Sequence, residues 1–231
     1  MTTQPLKLIS SMATRELLQA LAARYQRDTG HAVSTEAAGG VDVAKRVAAG
    51  EPQDVVVLAA SAIERLMTDG ALVAGSRADL ARSGVAIAVR AGTARHPIAT
   101  SEDVKAAVLA APTLSYSTGP SGVYLEKLFK HWEILEEIRP RIVVPPPGVP
   151  VGSLVADGRA ALGFQQLSEL MGVPGVMVLG PLPDPIQTVT VFSGAVCARS
   201  ARPAAARELL AYMQAPAMAA LKRRHGMEPA D

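Results

Sequence analysis

Cysteine is almost missing from this chain. Its single Cys197 among 231 residues leaves no partner for an intrachain disulfide and no thiolate cluster for zinc. The residues around it, Ser193-Gly194-Ala195-Val196 and Ala198, read as a strand, so an inert buried thiol is expected. Aromatic residues are scarce at 3%, while apolar residues make up 49%, a balance that suits an α/β protein packed from small side chains. The net charge is only +2, with acids and bases interspersed, which excludes an extended nucleic-acid surface. No apolar run approaches the roughly 20 residues that span a bilayer, so no membrane insertion is expected. The start, Met1-Thr2-Thr3-Gln4-Pro5, has no basic segment followed by an apolar core. The expectation is a cytoplasmic protein as written, or a periplasmic one if an export signal was trimmed. Gly-x-Ser-x-Gly, P-loop and His-Glu-x-x-His signatures are missing, which removes the common hydrolase, nucleotide and zinc-protease readings. Neither a metal nor a cofactor is expected.

What is present is a regular alternation. Leu6–Ile9 reads as a strand, and Leu17, Leu18, Leu21 and Tyr25 form the apolar stripe of a helix from Thr14 to Thr29. Ala32–Ala37 is a second strand, Val41–Ala49 a second helix, and Asp54–Ala59 a β-branched strand covered on both faces. A helix over Ala62–Asp69 follows. Such alternation predicts a parallel, open α/β sheet, with ligands beyond the carboxyl ends of the strands. Three strand ends in series, Ser10-Ser11, Ala38-Gly39-Gly40 and Ala60-Ser61, are small or hydroxylic and each precedes a helix.

Val85–Arg90 is an apolar strand that crosses into a second lobe, and Thr188–Ala198 is the return crossing. Between them, Ser101 is the expected cap of a helix, Pro145–Pro150 is too stiff for a central strand, and Gly172–Pro185 reads as irregular. Helices over Pro203–Gln214 and Pro216–Arg224 close the chain, with Lys222-Arg223-Arg224-His225 as solvated charge at a helix C-terminus. The expected architecture is two Rossmann-like lobes joined by a two-strand hinge. Residues 1–82 plus 189–231 form lobe I and residues 83–188 lobe II, with a ligand cleft between them that closes on its ligand.

One stretch of the second lobe stands out. A strand ending at Tyr116 runs into Ser117-Thr118-Gly119-Pro120-Ser121-Gly122, and a helix pattern continues to His131. Two readings stand: a strand-to-helix turn with a capping serine, or unpaired N–H groups at the positive end of a helix that receive an anion.

These residues together resemble a known family, the type II bacterial solute-binding proteins, within them the molybdate-binding-protein-like branch. The matching pieces are Ser10, Ser11 and Thr14 after the first strand, the Ala-Gly-Gly turn before Val41, and Asp54-Val55-Val56-Val57-Leu58. Ala74-Gly75-Ser76-Arg77, Tyr116-Ser117 with Gly119-Pro120-Ser121-Gly122, and Gly226-Met227-Glu228-Pro229 complete the likeness, which covers nearly the whole chain. It implies a periplasmic-binding-protein type II fold, a small anionic ligand and an ABC permease as partner. The chain departs from the molybdate binders in lacking a leader and in having Gln165-Gln166 where they place a Tyr. The same branch includes proteins similar to aconitate isomerase, so a cofactor-free isomerase of small di- or tricarboxylates is the alternative.

The candidate ligand-binding residues are Ser10, Ser11, Gly39, Gly40, Ser61, Arg82, Thr118, Ser121, Gly122, Tyr124 and Gln165. Hydroxyls and backbone N–H groups suit a fully ionised anion, Gln165 adds both a donor and an acceptor, and Arg82 could fork onto a carboxylate. An isomerase also needs a base. His31, His96, His131 and His225 fall away from the strand ends, which leaves Glu16 and Tyr124. Neither amounts to a catalytic motif.

Overall fold

The computed structural model describes residues 4–146 and 148–230; the two ends of the expected lobe I and Pro147 of the proline-rich segment lie outside the described residues. The chain divides into two compact units, one running up to Ser83 and from Val191 onward, the other spanning Gly84–Thr190. The first opens with β1 (Leu6–Ser11), a turn of 3-10 helix (Met12–Thr14) and α1 (Arg15–Thr29). It continues through β2 (Val33–Ala38), α2 (Gly40–Ala48), β3 (Val55–Ala59) and α3 (Ala60–Thr68). The long β4 (Ala78–Arg90) then runs across the boundary. In the second unit follow α4 (Ser101–Ala110), β5 (Leu114–Tyr116), α5 (Pro120–His131), α6 (Leu135–Ile138), α7 (Val151–Ala156), β6 (Leu162–Gln166), α8 (Leu167–Leu170) and β7 (Val176–Pro181). β8 (Val189–Val196) returns to the first unit, which ends with α9 (Pro203–Gln214), α10 (Ala219–Arg224) and the short β9 (Glu228–Pro229).

In the first unit β1 lies parallel between β2 and β3, and β8 pairs antiparallel on the other side of β3. The β-branched run of β3 explains its central place, because alternate side chains feed two cores. Val55 and Val57 join Leu17, Leu18 and Leu21 of α1 and Leu209 and Leu210 of α9. Val56 and Leu58 join Val43 and Val47 of α2 and Ile63 of α3 on the opposite face. Each such fully buried aliphatic side chain contributes about 1.5–3 kcal/mol, so both faces must be covered by helices.

In the second unit β5 and β6 are parallel, while β4 pairs antiparallel with both β6 and β7. Val85, Ile87 and Val89 of β4 pack with Val104 of α4, Phe129 of α5 and Phe164 of β6. Four expectations are corrected. The sheets are mixed rather than all parallel, because both boundary-crossing strands pair antiparallel with their neighbours. The segment Gly172–Pro185 contains β7, which the edge of β4 recruits despite flanking glycines. The cap of α4 is Thr100, whose hydroxyl accepts from Asp103 N–H at 3.1 Å while the Asp103 carboxylate accepts from Thr100 N–H at 3.0 Å; Ser101 is the first helical residue. Lys222 is not solvated but 2% exposed, because α10 lies across the core of α1 and β9.

One buried carboxylate ties the ends of the first unit together. Asp54, 6% exposed at the start of β3, accepts from Lys7 N–H at 2.9 Å, Ser200 Oγ at 2.6 Å and Arg202 Nη2 at 2.6 Å. Arg202 also donates to the carbonyls of Gln4 and Pro5 at 2.5 and 2.8 Å. Burial pushes the Asp54 carboxyl up, but the bonds from Ser200, Lys7 and Arg202 together with the Arg202 charge hold it below the usual carboxylate range. A carboxyl lowered in the folded state stabilises above its unfolded-state value and loses that contribution as pH falls through its folded-state value. Asp54→Asn should therefore cost about 1–3 kcal/mol at neutral pH. In thermal melts the gap to the unsubstituted protein should narrow below about pH 4; a gap independent of pH would contradict this assignment.

Candidate functional site

The parallel register of the first unit brings three strand ends to one edge. Ser11 lies opposite Ala38, and Ser10 opposite both Ala37 and Val57. The helices that follow start without side-chain caps: α2 after Gly39 and α3 after Ala59. Along α2 the Val43 N–H reaches the Gly39 carbonyl at 2.9 Å. The N–H groups ahead of it have no intrahelical acceptor. A side chain on Gly40 would begin 3.6 Å from Ser11 Cβ and 3.8 Å from Leu58 Cδ2, so Gly40 keeps this edge open beside Ser11.

Ser10 and Ser11 play different parts. Ser10 Oγ donates to the Ser11 carbonyl at 3.2 Å, with a longer approach to the Glu36 carbonyl at 3.5 Å. Thr14 Oγ1 donates to the same Ser11 carbonyl at 3.2 Å. Ser11 Oγ, on a residue 9% exposed, has no protein partner. Buried hydroxyls are normally hydrogen-bonded, and this one ends β1 just before the turn of 3-10 helix. Ser61 is exposed in the first turn of α3, and Arg82 is exposed on β4 opposite Glu228 of β9.

The second unit has a matching edge. β5 and β6 are parallel, with Tyr116 opposite Phe164, and α5 follows Gly119 without a side-chain cap or an acid in its first turn. The loop folds back so tightly that a Cβ on Gly122 would lie 1.5 Å from the Ser117 carbonyl oxygen. Ser121, buried, shares a 2.8 Å hydrogen bond with Ser117 Oγ, and Thr118 is exposed. Ser115, fully buried on β5, is a second residue whose Oγ has no protein partner.

Besides Ser121, three expected ligand groups have partners inside this unit. The Gly122 N–H donates to the Gly119 carbonyl at 3.0 Å, closing the first turn. Tyr124 Oη donates to the Ile186 carbonyl at 3.0 Å, and burial raises the pKa of its phenol. Gln165, 3% exposed, accepts from Gly152 N–H at 3.2 Å and donates to Glu169 Oε1 at 2.8 Å. Both ends of that amide hold α7 and α8 in place. The candidate residues drawn from the sequence included neither Ser115 nor Ser117, although Ser117 lies in the stretch singled out there. The signal was a serine in the middle of the apolar run Leu114-Ser115-Tyr116, where a hydroxyl must be buried.

Chemistry beyond binding is sparse. His31, His96 and His131 are exposed and His225 is half-buried. Glu16 is exposed and paired with Arg15 at 2.8 Å. Burial, with the Asp54 charge, pushes the Cys197 thiol up to about 12, so it is inert. Among the described residues no three His, Cys, Asp or Glu side chains are grouped to hold a metal ion, and no helix is long and apolar enough to cross a membrane. A depression of about 660 Å³ on the flank of α5, lined by Glu126, Lys127, Lys130, Glu133, Glu136 and Arg139 among others, carries balanced charge and lies along the helix rather than at the strand ends.

The family model described as bacterial extracellular solute-binding protein matches residues 6–228. An aconitate isomerase from Pseudomonas sp is 35% identical over 232 aligned positions, covering 97% of this chain and 87% of that protein. Among solved structures, the periplasmic molybdate-binding protein of Azotobacter vinelandii matches with a TM-score of 0.80 at 22% identity, covering 96% of this chain and 98% of that one. The sulfate-binding protein SubI of Mycobacterium tuberculosis H37Rv matches with a TM-score of 0.79 at 17% identity, covering 99% and 88% respectively. These structural likenesses establish the α/β fold of periplasmic binding proteins.

The loop geometry leads to a direct test. Gly122→Ala places a methyl carbon inside the Ser117 carbonyl, a backbone group that can yield only if the loop opens. The variant should lose about 2–4 kcal/mol of stability, read from chemical denaturation. A fully stable variant would show that the loop does not fold back over α5.

Proposed function

Since this chain belongs to the bacterial extracellular solute-binding protein family, we propose that it captures a small anion, a carboxylate or an oxyanion, between its two units by hinge closure. The observation that carries this reading is the Ser11 hydroxyl, buried and unpaired where uncapped strand-to-helix turns meet. Neutral donors at helix N-termini complement a fully ionised ligand without tracking a proton. Ser10, Gly39, Gly40 and Ser61 belong to the same edge; Ser121 and Thr118 supply the second unit's half, with Ser117 beside them. Arg82 adds a cation for a carboxylate, and an ABC permease is the partner to which such a protein delivers its ligand.

The test is a calorimetric panel of molybdate, sulfate, citrate, malate and trans-aconitate. At least one should bind saturably, and silence across the panel would defeat the reading. Ser11→Ala should weaken that binding about tenfold, while leaving ligand-free stability unchanged or slightly raised, because an unpaired buried hydroxyl is unfavourable in the empty protein. A variant that binds with unchanged affinity would remove Ser11 from the site.

The 35% identity to an aconitate isomerase favours a second reading, an isomerase on a small polycarboxylate. A base would take a proton from the methylene carbon and return it to the former vinyl carbon, so the double bond moves with no cofactor and no net proton. Glu16 faces solvent with Arg15, and the Tyr124 proton is directed at Ile186. Glu169 fits the role better: half-buried just past the end of β6, it has one carboxylate oxygen oriented by Gln165 at 2.8 Å. Proton NMR of the protein with trans-aconitate should then show the cis isomer, and Glu169→Gln should lower kcat about 10²–10⁴-fold. No conversion at high protein concentration would end this reading.

A further inference from the structure

On each side of the boundary β4 is stapled to the returning chain, to β8 itself in the first unit and to the residue pair leading into β8 in the second, by side chains outside the candidate site. On the first unit's side, Ser193 Oγ of β8 donates to Asp79 Oδ1 of β4 at 2.6 Å. Arg77 holds the same carboxylate at 2.7 and 3.0 Å. On the second unit's side the staple is a single carboxamide. Gln187 Oε1 accepts from the Val85 N–H and from the Thr188 N–H, both at 2.9 Å. Gln187 Nε2 donates to the Val85 and Leu182 carbonyls, both at 3.1 Å. The side chain thus gives Val85 the donor and acceptor that a neighbouring strand residue would give. All four hydrogen-bonding positions of the amide are filled.

The adjacent residue is shaped to this amide. A Cβ on Gly84 would fall 3.1 Å from both Gln187 Cδ and Nε2, and the unit boundary lies between Ser83 and Gly84. We propose that Gln187 is a positioning residue for ligand capture: it locks β4 at Val85 to the return crossing and so confines bending to residues 80–84 and 188–192. A hinge restricted to a few residues per strand loses less conformational entropy when it closes, since fewer backbone torsions remain to be ordered. The consequence for affinity depends on the closure proposed above, whereas the staple is tested without any ligand.

Gln187→Leu keeps the side chain's bulk but cannot hydrogen-bond, and Gly84→Ala crowds the same amide from the other side. In the ligand-free protein, both should speed hydrogen exchange at Val85 about tenfold or more. Exchange in the cores of α1 and α4 should stay unchanged. Single-molecule energy transfer between dyes on Lys45→Cys and Lys127→Cys, one in each unit, should broaden in both variants; buried Cys197 stays unlabelled. With trans-aconitate as probe, the variants should show slower association and weaker binding, restored toward the parent in neither. Unchanged exchange at Val85 and an unchanged distance distribution in a folded variant would overturn the role of Gln187. Broadening without any binding of trans-aconitate by the parent would keep the staple and count against the carboxylate reading instead. If Gln187→Leu fails to fold, Gly84→Ala carries the same measurements.

Discussion

The candidate site depends on register. In the first unit β1 is held parallel to β2 over its whole length and to β3 over Leu8–Ser10, so the strands end at one edge. A slip by one residue would turn Ser11 to the other face of the sheet and separate it from Gly40. The register is fixed because Val55 and Val57 face one core while Val56 and Leu58 face the other. Apolar packing on two faces thereby sets the place of a polar hydroxyl. Asp54 adds a covalent-like boundary condition at the opposite end of β3, tying it to Lys7, Ser200 and Arg202.

The acids and bases near these edges are paired with each other: Arg46 with Glu36 and Glu51, and Arg77 with Glu64 and Asp79. Arg46 and Gln53 hold the Glu51 carboxyl down to about 2, so it stays ionised and committed to its partner. Exposed pairs of this kind add little to stability. At the start of α4, Thr100 and Asp103 cap each other's backbone N–H groups.

Much of the fold was legible from local pattern. The alternation of strands and helices, the hydroxylic strand ends and the boundary-crossing β4 and β8 all follow from periodicity and turn residues. β7 was not, because its glycines and prolines suit a loop, and only the edge of β4 makes it a strand. Site residues were less legible than elements. Tyr124 and Gln165 have suitable side chains next to the right strand ends, yet their polar atoms bond to Ile186, Gly152 and Glu169. Sequence specifies which hydrogen-bonding groups exist, whereas the packed structure decides which remain unpaired. Ser11 and Ser115 are distinguished from Ser10 and Ser121 only by that unpaired state.

Binding and isomerisation make overlapping demands on such a site. Removing a proton from a carbon next to a carboxylate shifts negative charge onto that carboxylate's oxygens. Donors preorganised around those oxygens stabilise the charge more strongly as it grows. The uncapped N–H groups and the free Ser11 hydroxyl are therefore useful to either activity, and they do not by themselves distinguish a carrier from an enzyme. The difference lies in one group able to take and return the proton. Glu169 has the chemistry and a fixed orientation, but its Gln165 bond also fits a carboxylate that secures the start of α8. A carboxylate serving only that structural role would tolerate replacement by glutamine, which keeps the shape and one acceptor. A base would not, because the amide cannot accept a proton from carbon.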